Sequence, residues 1–325
     1  MKSGTLVTSL DFELAWGVRD VLSVEEYGEN IHGVHTALPI LLSLFSRHGV
    51  HATFATVGML FLKNKSELLA HLPTAFPHYS HSQLSPYLKY IPSLRDALND
   101  VHHFAPHLID EIKKTSGMEI GSHTFSHYYC MEDGQNLKEF AADIQAAIGV
   151  AKTKAIELRS LVFPRNQFNA EYLDECIKAG LTTYRGNENS WLHPGDYSGN
   201  SNSLRRLLRW LDAYINLSGH HCYELMKQPS SKMCNVPASR FLRPYHPRLK
   251  WLDGLKLKRI TSAMTYAAKN KKLYHLWWHP HNFGIHQEQN FLFLEKILMH
   301  YDQLKNEFDF RSLNMGEVSL ELREQ

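Results

Sequence analysis

Short β-rich runs and longer amphipathic stretches take turns along this 325-residue chain. Thr5 to Asp11 is β-rich and ends on an acid. Val34 to His48 sets Leu38, Leu41, Leu42 and Phe45 at helical spacing, and Gly49 follows as a stop. His51 to Gly58 predicts a second, buried strand. Met118 to Gly121, Ser160 to Phe163, Leu181 to Tyr184, Ser239 to Arg243 and Leu273 to Trp278 predict further strands. Between them, Leu137 to Glu157, Glu171 to Ala179, Leu204 to Leu217 and Gln289 to Tyr301 predict helices, with Gly180 just past the second of these. Strands that alternate with helices imply parallel pairing through right-handed crossovers. An α/β barrel, whether fully closed or incomplete, is the architecture this pattern favours.

Two stretches are too long for simple connections. Residues 61–115 carry prolines at 73, 77, 86, 92 and 106, which predicts a helical and loop-like insertion after the second strand. Residues 190–238 predict a second insertion, with a loop rich in Gly, Ser and Asn from Pro194 to Asn202. The whole of 1–325 then reads as a single domain with these two insertions.

Composition narrows the class. Hydrophobic residues make up 43% and the formal charge is only +2, with no Lys/Arg run, so nucleic acid is not an expected partner. No stretch approaches ~18 consecutive apolar residues, so no membrane span is expected. The four cysteines, at 130, 176, 222 and 234, show no Cys-x-x-Cys spacing and suit reduced thiols. The N-terminus is too short and polar for a signal peptide, and the expected location is cytoplasmic.

Candidate chemistry follows the strands, where parallel α/β folds keep their active sites. Asp11 and Glu13 flank Phe12; on a strand the two carboxylates share a face, where a cation or a proton must relieve their repulsion. Alternation does not decide which of the two would be ligand and which base. His123 and His127 are four residues apart, a spacing that puts both rings on one side of a helical turn, and neutral imidazoles suit a divalent metal. Alone, such a pair among 21 histidines is commonplace. Arg165 follows the fourth strand, placed to orient and ionise a buried carboxylate. His279, beside Trp277 and Trp278, suits a general acid, and His281 two residues on competes for that place.

In this order the pieces resemble the polysaccharide deacetylases of the NodB-homology type, carbohydrate esterase family 4. His123-Thr124-Phe125-Ser126-His127 is similar to that family's motif of two histidines with Ser/Thr after the first, and Ala52-Thr53-Phe54-Ala55 to its Ala-Thr-Phe-Phe strand. Arg165 resembles the arginine of the third motif and His279 the histidine of the last. This chain departs in separating its two acids by Phe12 and in placing Pro164 before the arginine. The resemblance implies a distorted (β/α)7 barrel and a metal-dependent hydrolase that removes an N-acetyl group from an amino sugar. It implies Glu13, His123 and His127 as ligands of a divalent metal, Zn²⁺ first, with Asp11 as base held by Arg165. His279 is then the acid, and a backbone N–H near Asn166 or Gln167 the oxyanion donor. Trp191, Tyr197, Trp277 and Trp278 are candidates to stack on sugar rings. With a cytoplasmic location, the substrate expected is a nucleotide- or lipid-linked N-acetylated sugar of surface polysaccharide assembly. The alternatives are a deformylase or other C–N hydrolase, and a carbohydrate-binding relative without activity. A phosphoester hydrolase is disfavoured, since two-metal sites call for more carboxylates.

Overall fold

A computed structural model describes residues 3–97, 100–188, 190–192, 203–224, 226–227, 229 and 231–324. Its nine strands form one sheet: β1 (Thr5–Phe12), β2 (Ala52–Thr56), β3 (Met118–Ser122), β4 (Ser160–Val162), β5 (Thr183–Arg185), β6 (Cys234–Asn235), β7 (Arg240–Phe241), β8 (Leu273–Trp278) and β9 (Arg311–Leu313). The order is β6-β5-β4-β3-β2-β1-β8-β7, and every pairing is parallel. The lower half of one edge of β1 pairs with β9, from Thr5 to Val7, and the upper half with β2, from Ser9 to Phe12. Helices run between the strands, and the sheet curls into a distorted, open (β/α) barrel.

The seven strands predicted from the pattern are all present, within a few residues. β6 and β9 are two and three residues long, too short to register as periodic runs. The helix Val34–His48 ends as Gly49 implied, with that glycine left-handed at φ 62°. Where the first insertion was expected, short helical turns and the helices Lys65–Ala70 and Pro106–Lys114 lie between β2 and β3.

β1 is buried along its whole length, and its two faces do different work. Leu6, Leu10 and Phe12 join the main core beneath the helices. Val7, on the opposite face, packs with Ala55, Val162, Leu273, Met315, Val318 and Leu322. The helix Met315–Glu324 thus plugs the lower end of the barrel. Its N-terminus is received by half-buried Glu119, which accepts from Gly316 N at 3.0 Å, Thr53 Oγ1 at 2.7 Å and Ser160 Oγ at 2.5 Å. Going up the same face of β1, Val7 gives way to Ser9 and then Asp11, so the barrel interior turns from apolar to polar toward the strand C-termini.

Two glycines let the loop after β8 dock. A Cβ on Gly284 would lie 1.8 Å from Asn30 O, and one on Gly33 would lie 2.0 Å from Gly284 O. Both obstacles are backbone, which cannot swing away. We expect Gly284→Ala to destabilise the fold by about 1–3 kcal/mol, read as a lower urea midpoint with an unchanged m-value.

Candidate active site

Five titratable side chains meet at the upper mouth. Glu13 Oε2 lies 3.0 Å from His127 Nε2 and 3.3 Å from His123 Nε2. Its other oxygen, Oε1, is 3.7 Å from His279 Nε2, which is itself 3.8 Å from Asp11 Oδ2. The Asp11, Glu13, His123 and His127 side chains are no more than 5% exposed, while His279 is 24% exposed and forms the open side.

The two candidate ligand histidines stand on a loop just past β3 rather than on a helical turn: Thr124 and His127 have φ of 62° and 60°. Left-handed backbone at non-glycine residues is costly, so the surroundings must impose it. Thr124 Oγ1 donates to His123 O at 2.6 Å and accepts from Tyr128 N at 2.7 Å. Asp143, wholly buried, accepts from Phe125 N at 2.6 Å, from Ser126 N and from the Ser126 hydroxyl. Burial pushes the Asp143 carboxyl up to about 6, against the pull of those donors. On the other side the loop lies against β2: His123 N donates to Thr56 O and Gly58 N to Thr124 O, both at 2.9 Å. A Cβ on Gly58 would come 2.7 Å from the Phe125 ring, which explains a glycine at the end of that strand.

The donor set fits a metal. Glu13, His123 and His127 each offer one atom, all within 4.8 Å of one another. His123 Nδ1–H is spent on Val162 O at 2.8 Å, which leaves the Nε2 lone pair facing the site. Burial pushes His127 down to about 4, toward the neutral form a metal requires. Burial alone would raise Glu13, but His279 and the hydrogen bonds from His123 and His127 hold it well below the usual carboxylate range.

Asp11 is not held by Arg165. Arg185, the last residue of β5, takes that place with Nη1 2.7 Å from Oδ1 and Nη2 2.7 Å from Oδ2. The guanidinium also donates to Asn166 Oδ1 at 2.9 Å and to Ser9 Oγ at 3.0 Å, and lies 4.1 Å over the Trp277 ring. Ser9 Oγ donates on to His275 Nε2 at 2.8 Å, while His275 Nδ1–H is given to Val236 O at 3.1 Å. Burial raises the Asp11 carboxyl, yet Arg185, with His123 and His279, brings it below its ordinary value. Arg165 instead pairs with buried Asp20 and stacks 4.3 Å over Tyr129, whose ring meets His127 edge-on. Its left-handed backbone, φ 54° on the turn after Pro164, carries the side chain away from Asp11. The signal that singled out Arg165, a charged residue just past a strand, applied equally to Arg185.

Other expectations are corrected as well. Asn166 N and Gln167 N donate to Phe163 O and Pro164 O, so neither is free as an oxyanion donor. Trp278 is fully buried, edge-on to Phe45 and stacked on Phe283, and cannot meet a sugar. Trp277 is half-buried with one face occupied by Arg185. Trp191 is 61% exposed, and Tyr197 lies outside the described residues. His281, the competitor of His279, is buried, with its ring stacked on that of His279.

Residues 31–184, just under half of the chain, match the family model described as polysaccharide deacetylase. That stretch is similar to the polysaccharide deacetylases. It contains both metal-ligand candidates of the histidine loop and ends one residue before Arg185. Among solved structures, a putative polysaccharide deacetylase from Mycobacterium smegmatis superimposes with a TM-score of 0.62 at 12% identity, over 100% of this chain and 92% of that one. A GH57-type branching enzyme from Pyrococcus horikoshii superimposes at 0.54 and 10% identity, over 99% of this chain and 71% of that one. At such identities the likeness is one of fold, and that fold is the distorted barrel expected of a NodB-type deacetylase. No curated protein sequence matches the chain.

Two substitutions test this geometry. A Cβ on Gly17 would fall 2.0 Å from the Glu13 carboxyl carbon, so Gly17→Ala should displace that candidate ligand and weaken divalent-metal affinity by about 10–100-fold in a competitive chelator titration. Arg185→Met leaves Asp11 charged and unpaired inside the protein, a loss of about 3–5 kcal/mol by urea denaturation. Adding Asp11→Asn to the same chain should recover most of that loss, because the penalty comes from the orphaned charge.

Proposed function

We propose that the chain is a metal-dependent carbohydrate deacetylase that hydrolyses an N-acetyl group from an amino sugar. The observation that carries this reading is the meeting of a Glu–His–His donor set, an arginine-paired aspartate and a half-open histidine at one mouth of the barrel. The family match supports the carbohydrate and the acyl group.

Glu13, His123 and His127 would hold the metal, and two imidazoles with one carboxylate suit a borderline ion such as Zn²⁺ better than Mg²⁺ or Ca²⁺. A bound divalent ion supplies Lewis acidity to the acyl oxygen and a lowered pKa to water. Asp11, kept ionised by Arg185, takes a proton from the attacking water, whose oxygen bonds to the acyl carbon. His279 has Nδ1–H fixed on Asn282 Oδ1 at 3.2 Å, so its Nε2 is the atom that gives a proton to the amine as the C–N bond breaks. Acetate and the free amino sugar leave.

Trp191, exposed to solvent, and Tyr197 remain the sugar-stacking candidates, and Trp277 serves to seat Arg185 and His279. Arg165, through Tyr129, supports the ring of His127. Four free thiols suit a reducing compartment, and a cytoplasmic nucleotide- or lipid-linked N-acetylated sugar is the substrate class we assign. No helix among the described residues is long and apolar enough to cross a membrane.

The test combines elemental analysis with acetate release from N-acetylated sugar donors. His123→Ala and His127→Ala should each lose the ion and the activity. Asp11→Asn should keep the ion and lose turnover by about 10²–10⁴-fold. Formate release in place of acetate would instead mark a deformylase. An ion-free protein that still binds sugar would mark a carbohydrate-binding relative.

A further inference from the structure

Glu13 faces two pairs of histidines, one with each carboxylate oxygen. Oε2 faces His123 and His127; Oε1 lies 3.7 Å from His279 Nε2 and 4.0 Å from His281 Nε2. The second triad, Glu13, His279 and His281, also brings its ligand atoms within 4.8 Å of one another. Its two rings are almost parallel, 10° apart with centroids at 4.9 Å, so both Nε2 atoms are presented to the same oxygen. His279 is fixed in this orientation by Asn282. His281 is 4% exposed, and its Nδ1 is buried without a hydrogen-bond partner. A buried imidazole with an unpartnered ring nitrogen calls for an explanation, and the other nitrogen, Nε2, is the one turned toward Glu13.

We infer that Glu13 bridges two cation positions, and that Glu13 Oε1, His279 and His281 form a second, inhibitory seat for a borderline divalent ion such as Zn²⁺. The inference rests on the function proposed above, in which Glu13, His123 and His127 hold the working ion. Two imidazole nitrogens and one carboxylate oxygen select Zn²⁺, Co²⁺ or Cu²⁺ over Mg²⁺ or Ca²⁺. The second ion binds more weakly than the first, because Asp11 is already neutralised by Arg185 and one carboxylate must serve two cations. It inhibits because it occupies His279 Nε2, the atom that must deliver a proton to the departing amine.

The experiment is equilibrium dialysis of the full chain, loaded with one equivalent of Zn²⁺, against rising free Zn²⁺, with elemental analysis and acetate release in parallel. The expected result is a second equivalent that binds at least tenfold more weakly than the first, with turnover falling as it binds. Mg²⁺ at the same concentrations should do neither. His281→Asn and His281→Phe, checked for folding by circular dichroism, should keep the first ion and lose the second, which moves the inhibition midpoint at least tenfold higher. Co²⁺-loaded wild-type protein should lose electron paramagnetic resonance intensity per ion as the second equivalent enters, through coupling across the shared carboxylate. The inference is overturned if the wild-type chain stops at one ion while excess Zn²⁺ still inhibits, or if both His281 variants bind two. Failure to bind the first ion would instead overturn the proposed function, so the two results are separable.

Discussion

The buried carboxylate pair of Asp11 and Glu13 is the constraint around which the mouth is arranged. Two carboxylates almost removed from water cannot both stay ionised unless each meets compensating charge. Asp11 meets it in Arg185, bidentate and dry. Among the described residues Glu13 meets no arginine or lysine; it faces four imidazoles. That difference separates their uses. A carboxylate already neutralised by a fixed guanidinium makes a poor ligand and a usable base, whereas one ringed by imidazole nitrogens is a seat for a cation.

The supports of this pair reach through most of the molecule. Arg185 is oriented by Asn166, Ser9 and the Trp277 face, and Ser9 is itself bonded to His275. The histidine loop is strained at Thr124 and His127 and tied down by Asp143 from the helix Leu137–Thr153. The loop bearing His279 and His281 is seated through a glycine-to-glycine contact on the helices beside it. Each of these ties joins elements far apart in sequence, so the site forms only when the barrel does.

β1 shows how one strand links stability to chemistry. Its inward face runs from Val7, against the C-terminal helix that closes the base, to Ser9 and Asp11 at the mouth. The same period-2 alternation that buries Leu6, Leu10 and Phe12 in the main core delivers Asp11 to the mouth. Glu13, one residue past the strand end, completes the approach, with Gly17 leaving room for its carboxylate.

The alternating pattern of strands and helices, the polar residues at strand ends and the histidine motif were legible in the chain itself, because local periodicity fixes elements and alternation fixes faces. That was enough for the barrel, for the convergence of Asp11, Glu13, His123 and His127, and for His279. Which arginine reaches Asp11 was not local information. Arg165 and Arg185 both follow strands, and only the left-handed turn at Arg165 and the fit of Arg185 on Trp277 separate them. The depth of Trp278 and the stacking of His281 behind His279 were likewise decided in three dimensions. A sequence records which residues follow a strand; packing across neighbouring strands decides which side chain ends on the charge that must be met.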